Sequence, residues 1–293
     1  MEWQSIETNI SDNLGRTFAL ESQANVGGGC INTAMKISSV NETYFIKFND
    51  IDKLAMFEAE AEGLRDMAAA NGVRVPTPIC TGTSGNQSYI VMEHIAMGGG
   101  NRAVMSEFGE QLAQMHQHTS TQFGWHRDNT IGSTTQVNQQ DHDWVTFWQQ
   151  WRLGYQLNLA TRHGIGSRTI QRGEKLQQAL THFFSDYTPE PSILHGDLWS
   201  GNYGISEQGE PVIFDPATYF GDREADIAMT ELFGGFDQTF YTAYQSVWPL
   251  DVGYKVRKTL YNLYHILNHY NLFGGGYGAQ ADGMIEQLLA EVG

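Results

Sequence analysis

Cysteine is nearly absent from this chain, which has only Cys30 and Cys80 in 293 residues. Two are too few for a disulfide framework, and their spacing matches no zinc-ligand pattern, so a reducing, cytoplasmic setting is expected and neither thiol reads as structural. Long apolar runs are also missing. No segment approaches the roughly 20 apolar residues that cross a bilayer, and no basic start followed by an apolar run suggests a leader. Cations are scarce, 17 Lys and Arg against 33 Asp and Glu, for a formal charge of −16. Nucleic acid and acidic membrane surfaces require clustered Lys and Arg, so neither is expected as a partner. The acidity reads first as solubility, and only secondarily as attraction for a cationic substrate.

What is present is a chain with 41% hydrophobic residues, enough for two lobes with a core each. Up to about residue 95 the pattern is short extended runs at 17–20, 31–38, 43–48 and 88–94 around one helix, whose apolar residues Leu54, Phe57, Ala61, Leu64 and Ala68 recur at helical spacing. Gly72, Pro76 and Pro78 stop that helix. Beyond Gly98-Gly99-Gly100 the pattern turns helical, interrupted by a loop and two short strands about Gln208-Gly209. The aromatic stripe Trp144, Phe147, Trp148 and Trp151 reads as core. There is no internal repeat and no low-complexity linker. The expectation is an α+β, bilobal chain: residues 1–95 a small, mainly antiparallel sheet that binds nucleotide, and 96–293 a larger helical lobe with the chemistry.

The strongest signal is His195-Gly196-Asp197-Leu198-Trp199-Ser200-Gly201-Asn202, followed by Ile213-Phe214-Asp215. This is the spacing of a kinase catalytic loop, in which one Asp takes the proton of the attacking hydroxyl, an Asn five residues on ligates magnesium, and a second Asp on the next hairpin holds the metal that bridges the phosphates. Asp197, Asn202 and Asp215 fit those roles in order. Phosphoryl transfer gathers charge on oxygens, so hard oxygen ligands for Mg²⁺ and a carboxylate to orient the nucleophile are what the chemistry requires.

The first lobe supplies a nucleotide site. The Gly-rich turn Gly27-Gly28-Gly29-Cys30-Ile31-Asn32 lets backbone approach phosphates closely. Lys47, in the middle of a strand, is placed to reach the α- and β-phosphates of ATP, and the following helix offers Glu58, Glu60 and Glu62 to hold it, of which Glu60 is the choice. Glu93, His94 and Ile95 lie where the connection between lobes would pass the adenine ring.

His-Gly-Asp-Leu-Trp-Ser-Gly-Asn at 195–202 resembles the fructosamine kinase, or ketosamine 3-kinase, family within the aminoglycoside phosphotransferase and choline kinase superfamily. Met56-Phe57-Glu58-Ala59-Glu60, Val91-Met92-Glu93-His94, the 128–132 run Asp-Asn-Thr-Ile-Gly, Phe214-Asp215-Pro216-Ala217 and the 221–229 run beginning Gly221-Asp222-Arg223 extend the likeness along nearly the whole chain. The resemblance implies a protein-kinase-like fold and ATP-dependent phosphorylation of the third sugar carbon of a ketosamine, free or protein-bound, in deglycation. It points to Trp199 as a face for the sugar, with His195 and Asp222 beside the substrate, although ion pairs of Asp222 or Asp226 with Arg223 fit equally. Cys30 in the Gly-rich loop suggests a redox switch and hence a monomer or a redox-sensitive dimer. His265 and His269, four apart among aromatics, read as packing or a pocket wall and not as zinc ligands. The rivals are a kinase for another small hydroxyl compound, such as an aminoglycoside, choline or homoserine, and an ATP-binding pseudokinase.

Overall fold

Trp3, Ile6, Ile10 and Leu14 share one helical face, and they form helix α1 (Trp3–Leu14), closed by Gly15 at φ 67°. In this computed structural model, which describes residues 2–27 and 32–293, the described residues up to 95 therefore hold two α-helices and not one. The expected strand at 17–20 is absent. That segment is tied to α1 by side chains, the Phe18 N–H donating to Ser11 Oγ at 2.9 Å and the Leu20 N–H to Glu7 Oε1 at 2.6 Å. The first strand, β1 (Ser22–Val26), follows, exposed along its length and hence without an alternating pattern.

β2 (Thr33–Ser38), β3 (Thr43–Asp50), β4 (Pro78–Ser84) and β5 (Gln87–Glu93) complete an antiparallel sheet of order β1-β2-β3-β5-β4. β4 lay hidden behind Pro76 and Pro78, but it is an edge strand, where a proline at the start removes no ladder bond. Side chains alternate across the sheet. Tyr44, Ile46 and Phe48 of β3, with Tyr89 and Val91 of β5, meet Ile6 and Ile10 on one face, and Cys80 packs into this core. Cys80 is thus structural after all, its thiol pushed up to about 12 by burial.

On the opposite face lie Lys47, Ile90 and Met92, covered by α2 (Leu54–Ala69). Phe57, Leu64 and Met67 of α2 join a second core that continues into the helices beyond. Those are α3 (Arg102–His116), α4 (Trp144–Phe147), a π-helical turn (Trp148–Gly154), α5 (Tyr155–Arg162), α6 (Ser167–Gln178), α7 (Glu224–Leu232), α8 (Gln238–Val247), α9 (Tyr254–Phe273) and α10 (Tyr277–Glu291). Trp144, Phe147 and Trp148 are core, as their spacing suggests. Three short antiparallel pairs thread this half: β6 (Asn129–Ile131) with β7 (Thr134–Gln136), β8 (Ser192–Leu194) with β11 (Tyr219–Gly221), and β9 (Tyr203–Ile205) with β10 (Pro211–Ile213). Among the described residues no helix is long and apolar enough to cross a membrane.

Candidate active site

The strand period that turns Tyr44, Ile46 and Phe48 toward α1 turns Lys47 toward α2. There the Lys47 side chain, 5% exposed, donates to Glu60 Oε1 at 2.6 Å and contacts the Asp215 carboxylate. Burial alone would lower the ammonium's pKa, but Glu60 and Asp215 outweigh it and hold the pKa above its usual value. Of the three glutamates considered, Glu60 faces the lysine, while Glu58 and Glu62 turn outward to Arg127. Three residues far apart in sequence thus meet where the sheet, α2 and the β9–β10 hairpin converge.

The catalytic loop runs from β8 to β9. Asn202 Nδ2 donates to the Asp197 carbonyl at 2.9 Å and to Asp197 Oδ2 at 3.2 Å, which leaves the side-chain oxygen Oδ1 of Asn202 as an acceptor. The Asp197 carboxyl is raised to about 7, first by burial and then by the negative charge of Asp215, against the Asn202 hydrogen bond. A carboxylate near neutrality is suited to accept a proton. Asp215 sits at φ 59°, in the left-handed region, with its side chain 49% exposed.

Two expected substrate contacts are not available. His195 is completely buried, and both ring nitrogens are engaged by backbone: Nε2 by the Phe214 carbonyl at 2.9 Å, Nδ1 by the Asp197 N–H at 3.2 Å. It braces the loop and cannot touch a substrate. Asp222 is equally buried and accepts from the hydroxyls of Tyr261 and Tyr187 and from the Glu224 N–H at 3.0 Å. Arg223 pairs with neither acid; it donates to the carbonyls of Trp248 and Pro249 and to the Tyr244 hydroxyl.

Asp226 has the clearest task. Its two oxygens accept the N–H groups of His195 at 2.7 Å and Gly196 at 2.8 Å. Burial would raise this carboxyl, yet those bonds and His116 hold it below the usual range. Gly196 at φ 80° is required there, since a Cβ would lie 2.2 Å from the Ala217 carbonyl. His116, buried at the end of α3, reaches Asp226 from one nitrogen and Tyr244 from the other. Sequence reading gave His116 no role, because a histidine on an apolar helix face looks like any buried polar residue.

Trp199 is 38% exposed, with Phe233 edge-on at 6.3 Å and His269 beyond Phe233 at 5.1 Å. An aromatic wall therefore borders the catalytic loop, with His269 in it. His265 is buried, its pKa lowered to about 3 by that burial, and among the described residues no cluster of three or more His, Cys, Asp or Glu side chains forms a metal site. At the end of β5, the Glu93 N–H is taken by the Thr77 carbonyl at 2.8 Å and its carboxylate by Arg74 at 2.6 Å, so Glu93 offers a nucleotide no donor. His94 is half-buried and Ile95 buried beside it. Asn32 accepts from Asn49 Nδ2 at 2.7 Å at the mouth of β2 and β3. Gly28, Gly29 and Cys30 lie outside the described residues.

The model of the fructosamine kinase family matches residues 2–291. A protein of Synechocystis sp. named "Probable ketoamine kinase" is 49% identical over 98% of this chain and 97% of its own length. The chloroplastic protein-ribulosamine 3-kinase of Arabidopsis thaliana is 45% identical over 94% of this chain and 85% of its own. Among solved structures, a Haemophilus somnus protein named "Putative fructosamine-3-kinase" superposes with a TM-score of 0.90 at 30% identity, covering 98% of this chain and 97% of that one. An aminoglycoside phosphotransferase bound to AMP-PNP and hygromycin B shares the fold at a TM-score of 0.63 and 16% identity, with 98% of each chain covered. The match along nearly its whole length makes this chain a member of the fructosamine kinase family.

Proposed function

We propose that the chain transfers the γ-phosphoryl group of ATP to the 3-hydroxyl of the sugar in a ketosamine, a ribulosamine or fructosamine adduct free or carried on protein, in a cytoplasmic deglycation reaction. The observation that carries this reading is the gathering of Lys47, Glu60 and Asp215 beside the Asp197–Asn202 pair. Lys47 binds the α- and β-phosphates from residues 1–95, and residues 96–293 bring the acceptor. Asp197 takes the proton as the hydroxyl oxygen bonds to phosphorus, and the bond to the departing ADP breaks. The donor set suits Mg²⁺: once hydrogen bonds among the described residues are assigned, the Asn202 side-chain oxygen and the second Asp215 carboxylate oxygen remain, hard ligands of the kind this ion takes beside phosphate oxygens and water. When bound, Mg²⁺ would neutralise charge on the phosphates. Trp199 offers its exposed ring face to the sugar.

The test is ATP consumption by the purified protein with Mg²⁺, comparing ribulose-lysine, fructose-lysine, choline and kanamycin, with Asp197→Asn as the control. Turnover on a ketosamine that Asp197→Asn loses is expected. Turnover on choline or kanamycin alone would keep the catalytic assignments and overturn the substrate, and retained nucleotide binding with no product would favour a pseudokinase.

A further inference from the structure

The β6–β7 hairpin begins in the 128–132 run, whose polar residues the phosphotransfer reading leaves unused. Asn129, Gln136 and Asn138 are all buried. Buried carboxamides persist where their donors and acceptors are matched, and here they are matched into one chain. It starts at Arg152, itself completely buried, which donates to Asn138 Oδ1 at 2.7 Å and to the Val137 carbonyl at 2.6 Å. Asn138 Nδ2 passes to Asn129 Oδ1 at 2.9 Å, which also receives Gln136 Nε2 at 2.8 Å. Asn129 Nδ2 then donates to the Thr218 carbonyl at 2.7 Å, and Gln136 Nε2 to the Ala217 carbonyl at 3.0 Å. The Tyr264 hydroxyl, donating to Gln136 Oε1 at 2.7 Å, sets which way that carboxamide faces.

The chain ends on the backbone just beyond Asp215, a residue with a left-handed φ of 59°. Such a conformation costs a non-glycine residue of order 1 kcal/mol and persists where both flanks are held. Upstream, Phe214 donates to the Asn202 carbonyl at 3.0 Å and accepts from His195. Downstream, the holding is done by Asn129 and Gln136, together with the Ala217 N–H on the His195 carbonyl. Among the described residues the Arg152 guanidinium donates to the carbonyl oxygens of Val137, Trp151 and Asn138, its Nε is buried without a partner, and the group lies 4.0 Å from the Tyr219 ring centre. A charged donor at the head of the chain strengthens its bond to Asn138 and polarises those that follow.

We propose that Asn129, Gln136 and Asn138, backed by Arg152, are positioning residues that hold the 215–218 turn so that the Asp215 carboxylate meets the metal–nucleotide. The inference rests on the metal-binding role assigned to Asp215 above. It is tested with Mn²⁺ in the presence of ADP, the free ion being followed by its electron paramagnetic resonance signal. Asn129→Leu is expected to raise the Mn²⁺ dissociation constant about tenfold while the ketosamine KM stays within about twofold. Because losing a buried amide can unfold the chain, Tyr264→Phe is measured beside it, with a rise of about threefold expected. Thr230→Val, which deletes a buried hydroxyl in α7, controls for general loosening. Unchanged Mn²⁺ binding in a folded variant, or a rise no larger than that of Thr230→Val, overturns the inference. A wild-type protein that binds no Mn²⁺ with ADP overturns the phosphotransfer reading beneath it.

Discussion

Asp197 shows how one residue's environment links chemistry to stability. Its pKa, raised to about 7 by burial and by Asp215, lies above that of an ordinary carboxylate. The folded state therefore holds this proton more tightly than the unfolded chain, and the group's contribution to stability declines as pH rises from about 4 to 7. Above that window the buried charge costs free energy. Asp197→Asn is expected to abolish turnover yet unfold about 1–3 kcal/mol later than wild type at pH 8, a gain that fades toward pH 4 in denaturant titrations. In wild type, kcat/KM for MgATP should fall as pH drops below about 7, since this parameter reports the free enzyme's base. A flat profile to pH 5 would remove Asp197 as the group being titrated.

Helix α2 matters for where it sits as much as for Glu60. Gly63, one turn on, lies against the 215–218 segment: a Cβ there would be 2.5 Å from Thr218 Oγ1 and 2.9 Å from its Cβ. Gly63→Ala must therefore push α2 away from that segment, at a cost of about 1–3 kcal/mol, and should lower kcat as Lys47 and Asp215 separate. Thermal unfolding and steady-state kinetics check both halves, and an unchanged protein would mean that the helix can shift freely. The period of α2 was readable in sequence because its apolar face is continuous. Trp3, Ile6, Ile10 and Leu14 carry the period of α1 equally, but the run at 17–20 that follows, expected as a strand, is not one. That run's backbone is satisfied by Ser11 and Glu7 of α1, a contact no local pattern announces.

At the scale of the molecule, the sheet is shared between two cores, one closed by α1 and the other running through α2 into the helical half. The candidate site lies against the second, so a ligand there braces both halves. ATP with Mg²⁺ at about 100 times its Kd should stabilise the fold by about 2.7 kcal/mol, and EDTA should remove most of that shift. A shift indifferent to EDTA would show that the nucleotide binds without the metal.

The catalytic loop, Lys47 with its Glu60 partner, and the order of sheet before helices could all be read from the sequence, because residue type, short spacing and hydrophobic period carry them. Tertiary structure alone decided the tasks of the buried polar residues. His195 and Asp222 look like ligand contacts when read beside Asp197, and become braces once both are seen to be enclosed and fully hydrogen-bonded. Asp226 and the Asn129–Gln136–Asn138 chain act on backbone groups 30 to 89 residues away, and His116 reaches the Asp226 carboxylate across 110. The side chain is written in the sequence, but the carbonyl or N–H it meets is chosen by the fold.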